Sequence, residues 1–298
     1  MYAARRGKEM IEMKSVIDNS INLISNPVEG EYIESRYVYR EDSDHAIIYL
    51  SSQTGCDKSC KYCWLTQTGQ TNYRDCSVEE ILMQVDSLWD KLPLDKITKI
   101  HFNFMARGEA LSSNIILKNF DDLIFGFRER CKKVNKECKV LISTILPKGI
   151  MINETLMDIT KILSNPEVHL YYSLYGNDTF RKKWMGKAES LNNALSALHV
   201  WHKMYPERIV LHWAFIEGEN TDVDDFYELA ILVKQYLRGV RINIVRFNPI
   251  DDRYKEPSFD VIQNLFSAWN FINFNSRNKI IPRVGPDVYA SCGMFFAS

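Results

Sequence analysis

Two rhythms of hydrophobic and polar positions alternate along the chain. Short β-branched or aromatic runs predict strands over His45–Ser52, Ile97–Phe104, Lys139–Ile145, Val168–Tyr175, Arg208–Ile216 and Arg241–Phe247. Amphipathic stretches of helical period follow them, near Ser77–Lys91, Asn114–Asn135, Asn153–Leu163, Glu189–Lys203, Thr221–Leu237 and Ser258–Asn273. Helix-start signals support several: Ser77 precedes Glu79 and Glu80, Asn153 precedes Glu154, and Thr221-Asp222 opens the fifth. Strict strand–helix alternation implies parallel strands joined by right-handed crossovers. Six units are too few for the closed eight-unit barrel. The expected α/β fold is therefore an open (β/α)6 partial TIM barrel, with Asn278–Val284 as an additional edge strand.

In a parallel barrel, functional side chains gather where strands end. Those ends are polar here: Ser51-Ser52-Gln53, Arg107-Gly108-Glu109, Ser143-Thr144, Ser173-Leu174-Tyr175, Glu217-Gly218-Glu219-Asn220 and Arg246-Phe247-Asn248. Residues 1–43 are charged and lack clear alternation; they predict a short helix over Lys8–Leu23 and a hairpin-like lead-in from Tyr32 to Tyr39. The expected organisation is an N-terminal extension over 1–43, a barrel over 44–285 and a tail over 286–298.

The 298 residues are 46% hydrophobic and 25% charged, enough to bury a core and incompatible with general disorder. Thirty-seven Lys and Arg against 38 Asp and Glu exclude an overall basic coat. Any nucleic-acid contact must be local, and the run containing Arg181, Lys182, Lys183, Trp184 and Lys187 after the fourth strand is the candidate. The first residues reach charge without an apolar core, and the longest uncharged stretch, Val261–Ser276, is interrupted by Asn and Gln. A soluble cytoplasmic protein is expected.

Seven cysteines are an odd number, and Cys56, Cys60 and Cys63 fall within eight residues. That crowding suits a metal site in a reducing compartment better than a disulfide framework. Soft thiolates at this C-x-x-x-C-x-x-C spacing serve iron–sulfur clusters or zinc. Structural zinc takes four ligands, and no fourth lies close in sequence, the next cysteine being Cys76. Three ligands on a four-iron cluster leave one iron open to bind a cofactor or substrate.

Placed after the first strand of a six-unit barrel, this motif, with Tyr62 before its last cysteine, resembles that of the radical S-adenosylmethionine (SAM) superfamily. Six segments narrow the resemblance to the RlmN/Cfr family of RNA adenine methyltransferases. They are Ser51–Cys56, Phe104–Leu111, Ile142–Thr144, Tyr172–Tyr175, Arg241–Pro249 and Ala290–Met294, and they occur in order across nearly the whole chain. The resemblance implies one 4Fe-4S cluster on Cys56, Cys60 and Cys63, whose open iron chelates SAM. Cleavage of SAM then gives a 5′-deoxyadenosyl radical. Gly108, Glu109, Ser143, Ser173, Tyr175 and Asn248 fall at the family's SAM-contacting segments. Cys292 matches the cysteine that carries a methyl group to an adenine carbon, C2 in preference to C8, of ribosomal or transfer RNA. A flavodoxin-type electron donor and a monomer are also implied.

Three departures stand out. The family's second catalytic cysteine, seven residues before the first cluster cysteine, is Tyr49 here. A phenol is a weak base at neutral pH and forms no disulfide. Cys76 is the better thiol substitute by position, while Cys131 and Cys138 flank a helix–strand turn expected at the far end of the barrel. Tyr175 replaces a usual histidine, and about forty residues stand where relatives carry a larger RNA-binding domain. A diverged radical enzyme acting on another nucleotide or base is the alternative expectation.

Overall fold

The computed structural model describes residues 10–297. Ten strands form one open sheet whose spatial order is the chain order. Strands β1 (Met10–Lys14), β2 (Ile21–Ser25) and β3 (Ile33–Tyr39) pair antiparallel, and β3 pairs antiparallel with β4 (His45–Tyr49). From β4 onward every pairing is parallel, through β5 (Lys99–Phe104), β6 (Glu137–Thr144), β7 (Val168–Ser173), β8 (Ile209–Ala214), β9 (Arg241–Val245) and β10 (Lys279–Ile280). This is the open partial barrel that the alternation predicts.

The helices are α1 (Trp64–Gln67), α2 (Val78–Asp86), α3 (Asn114–Lys118), α4 (Phe120–Lys133), α5 (Asn153–Ser164), α6 (Asp178–Trp184), α7 (Leu191–Met204), α8 (Val223–Tyr236) and α9 (Phe259–Ile272). Ser77 and Glu80 form a reciprocal capping box on α2, and Asp222 caps α8 through the Asp225 amide. Asn153 does not cap: it is the first helical residue of α5, behind Ile152. The single stretch expected over 114–135 is two helices, and the short α1 and α6 had no periodic signal.

The helix expected over Lys8–Leu23 is corrected to the β1–β2 hairpin, residues 8 and 9 lying outside the described ones. Polar side chains between the strands take over backbone amides that a helix would need. Ser15 Oγ accepts from the amides of Ile17 and Asp18, and Asp18 Oδ1 accepts from the Ser20 amide.

The outward face of the parallel strands is apolar. Ile100, Phe102, Val140, Ile142, Leu170, Tyr172, Leu211, Trp213, Ile242 and Ile244 are buried beneath the helices. The alternate positions turn inward and are mostly polar: His101, Asn103, Lys139, His169, Tyr171, His212, Arg241 and Asn243 line a cavity of about 870 Å³. Closed barrels fill that space with branched aliphatics. Here the core lies between sheet and helices, and the lumen is a hollow cavity of mixed lining, with its polar side chains among Ile47, Met105, Leu141, Val245 and Ile281.

Candidate active site

The loop after β4 carries the three close cysteines at the C-terminal mouth of the barrel. Gly55 permits its entry: a Cβ there would stand 2.7 Å from the Gln70 carbonyl oxygen and closer still to that of Asn72. The loop is pinned by the Lys61 amide on the Trp184 carbonyl at 2.9 Å, and by the Trp64 amide on the Gly293 carbonyl at 2.9 Å. Cys63 is the N-cap residue of α1.

Cys56, Cys60 and Cys63 face one another. Burial pushes the Cys60 thiol well up, and its two neighbouring thiols push it further. Burial likewise raises Cys56 to about 12, with Cys63 adding, and Cys63 to about 11. Among the described residues, no three His, Cys, Asp or Glu side chains converge as one metal ion requires. Three thiols are the soft ligand set that an iron–sulfur cluster takes.

Cys292 joins this site through the tail. Its thiol packs against the same apolar group as Cys63, Tyr62 and Tyr254. Buried Glu34 and Arg36 of β3 and buried Arg107 after β5 hold the tail in place. Glu34 takes Arg107 at 2.7 Å and Arg36 at 3.1 Å. Arg36 donates to the Met294 carbonyl at 2.6 Å and the Ser291 carbonyl at 3.4 Å, and the Phe296 amide donates to Glu34 at 3.1 Å. Such charges are tolerated in a core only because each is paired and hydrogen-bonded.

Gly108 has φ +99°, and a Cβ would meet Ser52 Oγ at 2.6 Å. Its conformation turns buried Glu109 toward the thiol loop. The Glu109 carboxylate accepts from the amides of Leu111 at 3.2 Å and Ile145 at 3.1 Å, while burial raises its pKa. Ser143 Oγ donates to Asn103 Oδ1 at 3.3 Å on the lumen wall. Ser173 ends β7 and hydrogen-bonds Tyr175.

Tyr175 is buried at φ +55°, its ring 5.0 Å from that of Tyr62, and its hydroxyl is hydrogen-bonded to Cys292. Asn248 holds the tail as well: its Nδ2 donates to the Cys292 carbonyl at 2.9 Å. Tyr49 lines a small cavity together with Cys292, and burial pushes its phenol up to about 12.

Other expected residues are not brought to the site. Cys76 is fully buried in the main core, in a different packing group from Cys292. Cys131 and Cys138 hydrogen-bond each other between α4 and β6. The positive run is corrected in part: it is the end of α6, and Arg181 is buried, donating to the carbonyls of Ser173, Leu174 and Ile145. Trp184 is likewise fully buried. Lys182 is exposed, Lys183 pairs with Glu219 at 2.6 Å, and Lys187 pairs with Asp57 at 3.0 Å.

Sequence reasoning missed the Glu34–Arg36–Arg107 network, because Arg107 lies 73 positions from Glu34 and no local pattern joins them. It also missed the polar lumen. There a signal existed: parallel strands usually read as continuous apolar runs, whereas Lys-Ile-His-Phe-Asn-Phe in β5 and Arg-Ile-Asn-Ile-Val in β9 alternate.

A solved radical SAM methyltransferase from Sphaerobacter thermophilus superposes with a TM-score of 0.76 at 19% identity, covering 96% of this chain and 80% of that one. With three cysteines at the barrel mouth, the fold is that of a radical SAM methyltransferase, and a 4Fe-4S cluster and SAM are the cofactors this similarity implies. The probable dual-specificity RNA methyltransferase RlmN of Fervidobacterium nodosum is 25% identical over 297 residues, spanning 96% of this chain and 78% of its own length. The protein of the same description from Bacteroides thetaiotaomicron is 26% identical over 297 residues, spanning 95% and 76%. No family model matches the chain. Among proteins of that class, the chain is similar over nearly its whole length to those described as RlmN RNA methyltransferases. No helix among the described residues is long and apolar enough to cross a membrane.

Proposed function

We propose that the protein methylates an adenine carbon of ribosomal or transfer RNA, C2 in preference to C8, through a methyl group carried on Cys292. The observation that carries this reading is the convergence of Cys292, from the far end of the chain, on the thiol triangle at the β4 mouth. When bound, the cluster and SAM would supply one-electron reduction, a methyl group and a hydrogen-abstracting radical.

The chain's own residues divide the work. Cys56, Cys60 and Cys63 hold the cluster, and their protons leave when it binds. Gly108 and Glu109 receive the SAM methionine end, with Ser143 and Ser173 beside it. Asn248 and Tyr175 orient the Cys292 backbone and thiol. Burial raises that thiol, while the Tyr175 hydrogen bond and the Arg36 charge favour its thiolate, the form that accepts a methyl group. The target base leaves its stack to reach the mouth, and Lys182, Lys183 and Lys187 contact flanking phosphates. The enzyme works as a cytoplasmic monomer with a flavodoxin-type electron donor.

Anaerobic incubation with bulk RNA and isotopically labelled SAM, followed by nucleoside analysis, tests the reading. Labelled 2-methyladenosine is expected, together with a methyl group on Cys292 by mass spectrometry. Methylation undiminished in Cys292→Ala would sink the mechanism.

A second reading is favoured by Tyr49 alone. A buried phenol beside Cys292 neither deprotonates an adduct nor forms a disulfide with it, which suits a diverged radical enzyme acting on another nucleotide or base without thiol-resolved release. Tyr49→Cys separates the two. Under the first reading, equal turnover by both proteins shows that another group resolves the adduct, whereas an RNA adduct that accumulates on the natural protein and is released by Tyr49→Cys shows that release depends on a thiol there; under the second, neither protein forms one.

A further inference from the structure

At the end of the lumen opposite the thiols, the barrel wall carries charge that the methylation reading does not use. Arg40, Lys99, Lys139, Arg241, Arg277 and Lys279 line it against only Asp44, Glu137 and Glu167. The carboxylates answer Lys99 and leave the deeper cations alone, while Arg277 pairs with Glu207 at 3.0 Å. Asp44 binds His45 at 3.0 Å and Lys99 at 3.2 Å, Glu167 binds Arg128 at 2.7 Å, and Glu137 reaches Lys99 at 3.8 Å. Among the described residues, Lys139 and Lys279 make no ion pair, and the Arg241 guanidinium donates to Asn243 Oδ1 at 3.0 Å. The buried Arg40 Nε has no partner.

These cations face one another. Burial and the charges of Arg241, Lys99, Arg277 and Lys279 push Lys139 down to about 8. Like charges gathered in a half-enclosed space disfavour the folded state unless an anion neutralises them.

Further up, the lumen wall changes to rings and amides. His45 and His101 stack with centroids 4.0 Å apart, and His212 meets Tyr171 edge-on at 4.8 Å. Burial holds His101 at about 2 and His212 at about 3, so they offer ring faces and neutral nitrogens but no charge. The cavity volume of about 870 Å³ suits a small molecule.

We propose that the lower lumen binds a nucleoside polyphosphate, with its phosphates on Lys139, Arg241 and Lys279 and its base among His101, Tyr171 and Asn243. This site is independent of the methylation reading and stands whether or not RNA is the substrate.

Calorimetric titration of the full chain tests it with three probes: CDP, inorganic pyrophosphate and cytidine. A pyrimidine is chosen because adenosyl compounds would also be drawn to a SAM site. CDP should bind saturably, about tenfold tighter than pyrophosphate and about a hundredfold tighter than cytidine. The double variant Lys139→Gln with Arg241→Gln should weaken CDP about a hundredfold without lowering the melting temperature, since like charges are removed.

Lys279→Gln, at the exposed rim, should weaken CDP about tenfold and leaves the buried core untouched. Unchanged affinity in both variants, or no saturation below ~10 mM CDP, overturns the site. Pyrophosphate binding as tightly as CDP overturns the nucleoside assignment. Loss of affinity in the variants for a short single-stranded RNA but not for CDP assigns the charges to RNA and overturns the proposal.

Discussion

The two mouths of this barrel handle charge in opposite ways. At the C-terminal mouth the charges that seat the tail are ion-paired: Glu34 sits between Arg36 and Arg107, and the tail amides and carbonyls complete the set. At the N-terminal mouth, among the described residues, Lys139 and Lys279 stand unpaired and the Arg241 guanidinium meets the Asn243 amide oxygen. One sheet supports both, because its apolar outer face supplies the core and leaves the inner face free to differ along its length. Paired burial fixes geometry, which radical chemistry at a shared mouth requires. Unpaired cations fix little and leave capacity for a mobile anion.

The largest expected contrast comes from the thiols. Cys60→Ala should lower cluster iron and abolish methyl transfer, read by iron and acid-labile sulfide per chain after anaerobic reconstitution; a full iron complement would refute the ligand assignment. Next, Glu34→Gln leaves two buried guanidiniums underpaired and should cost about 3–5 kcal/mol in urea unfolding. A loss below about 1 kcal/mol would show that the upper network matters no more than a surface pair.

Gly108→Ala forces a side chain into φ +99° and against Ser52 and Gln53, and should cost about 1–3 kcal/mol in the same assay. The smallest effect belongs to the lower mouth. Lys139 has a folded pKa near 8 against an ordinary 10.5. Between those values the unfolded chain binds more protons, so stability contributed by this group rises with pH across that window. Below it, both states are protonated and the penalty is fully present. Lys139 is faced by Lys99 and His101 on β5, His169 on β7, Arg241 on β9, and Arg277 and Lys279 beyond α9. Melting curves from pH 8 to 10.5 should therefore climb more for the natural protein than for Lys139→Gln; parallel curves would mean the cations do not interact.

Much of this was legible in the chain. The six barrel strands and their helices follow from periodicity, because each buries one apolar face against the next layer. The thiol triangle follows from spacing and Cys292 from family resemblance. What escaped was decided by tertiary partners. The 10–25 segment folds as a hairpin because β3 offers it an edge and Asp18 and Ser20 make a turn. Arg181 reads as a surface cation, yet three strand-end carbonyls draw it inward.

Each pairing in the sheet joins strands that are neighbours in the chain, so the barrel can grow one strand at a time over short closures. The contact that completes the upper mouth is of another kind: Arg36 meets the Met294 carbonyl across 258 positions. Closing so long a span becomes affordable only after the intervening strands have folded and brought its ends together. Late delivery of Cys292 is the order this connectivity favours. The buried Arg36 thus ties the position of Cys292 to the folded state of β3, at the opposite end of the chain.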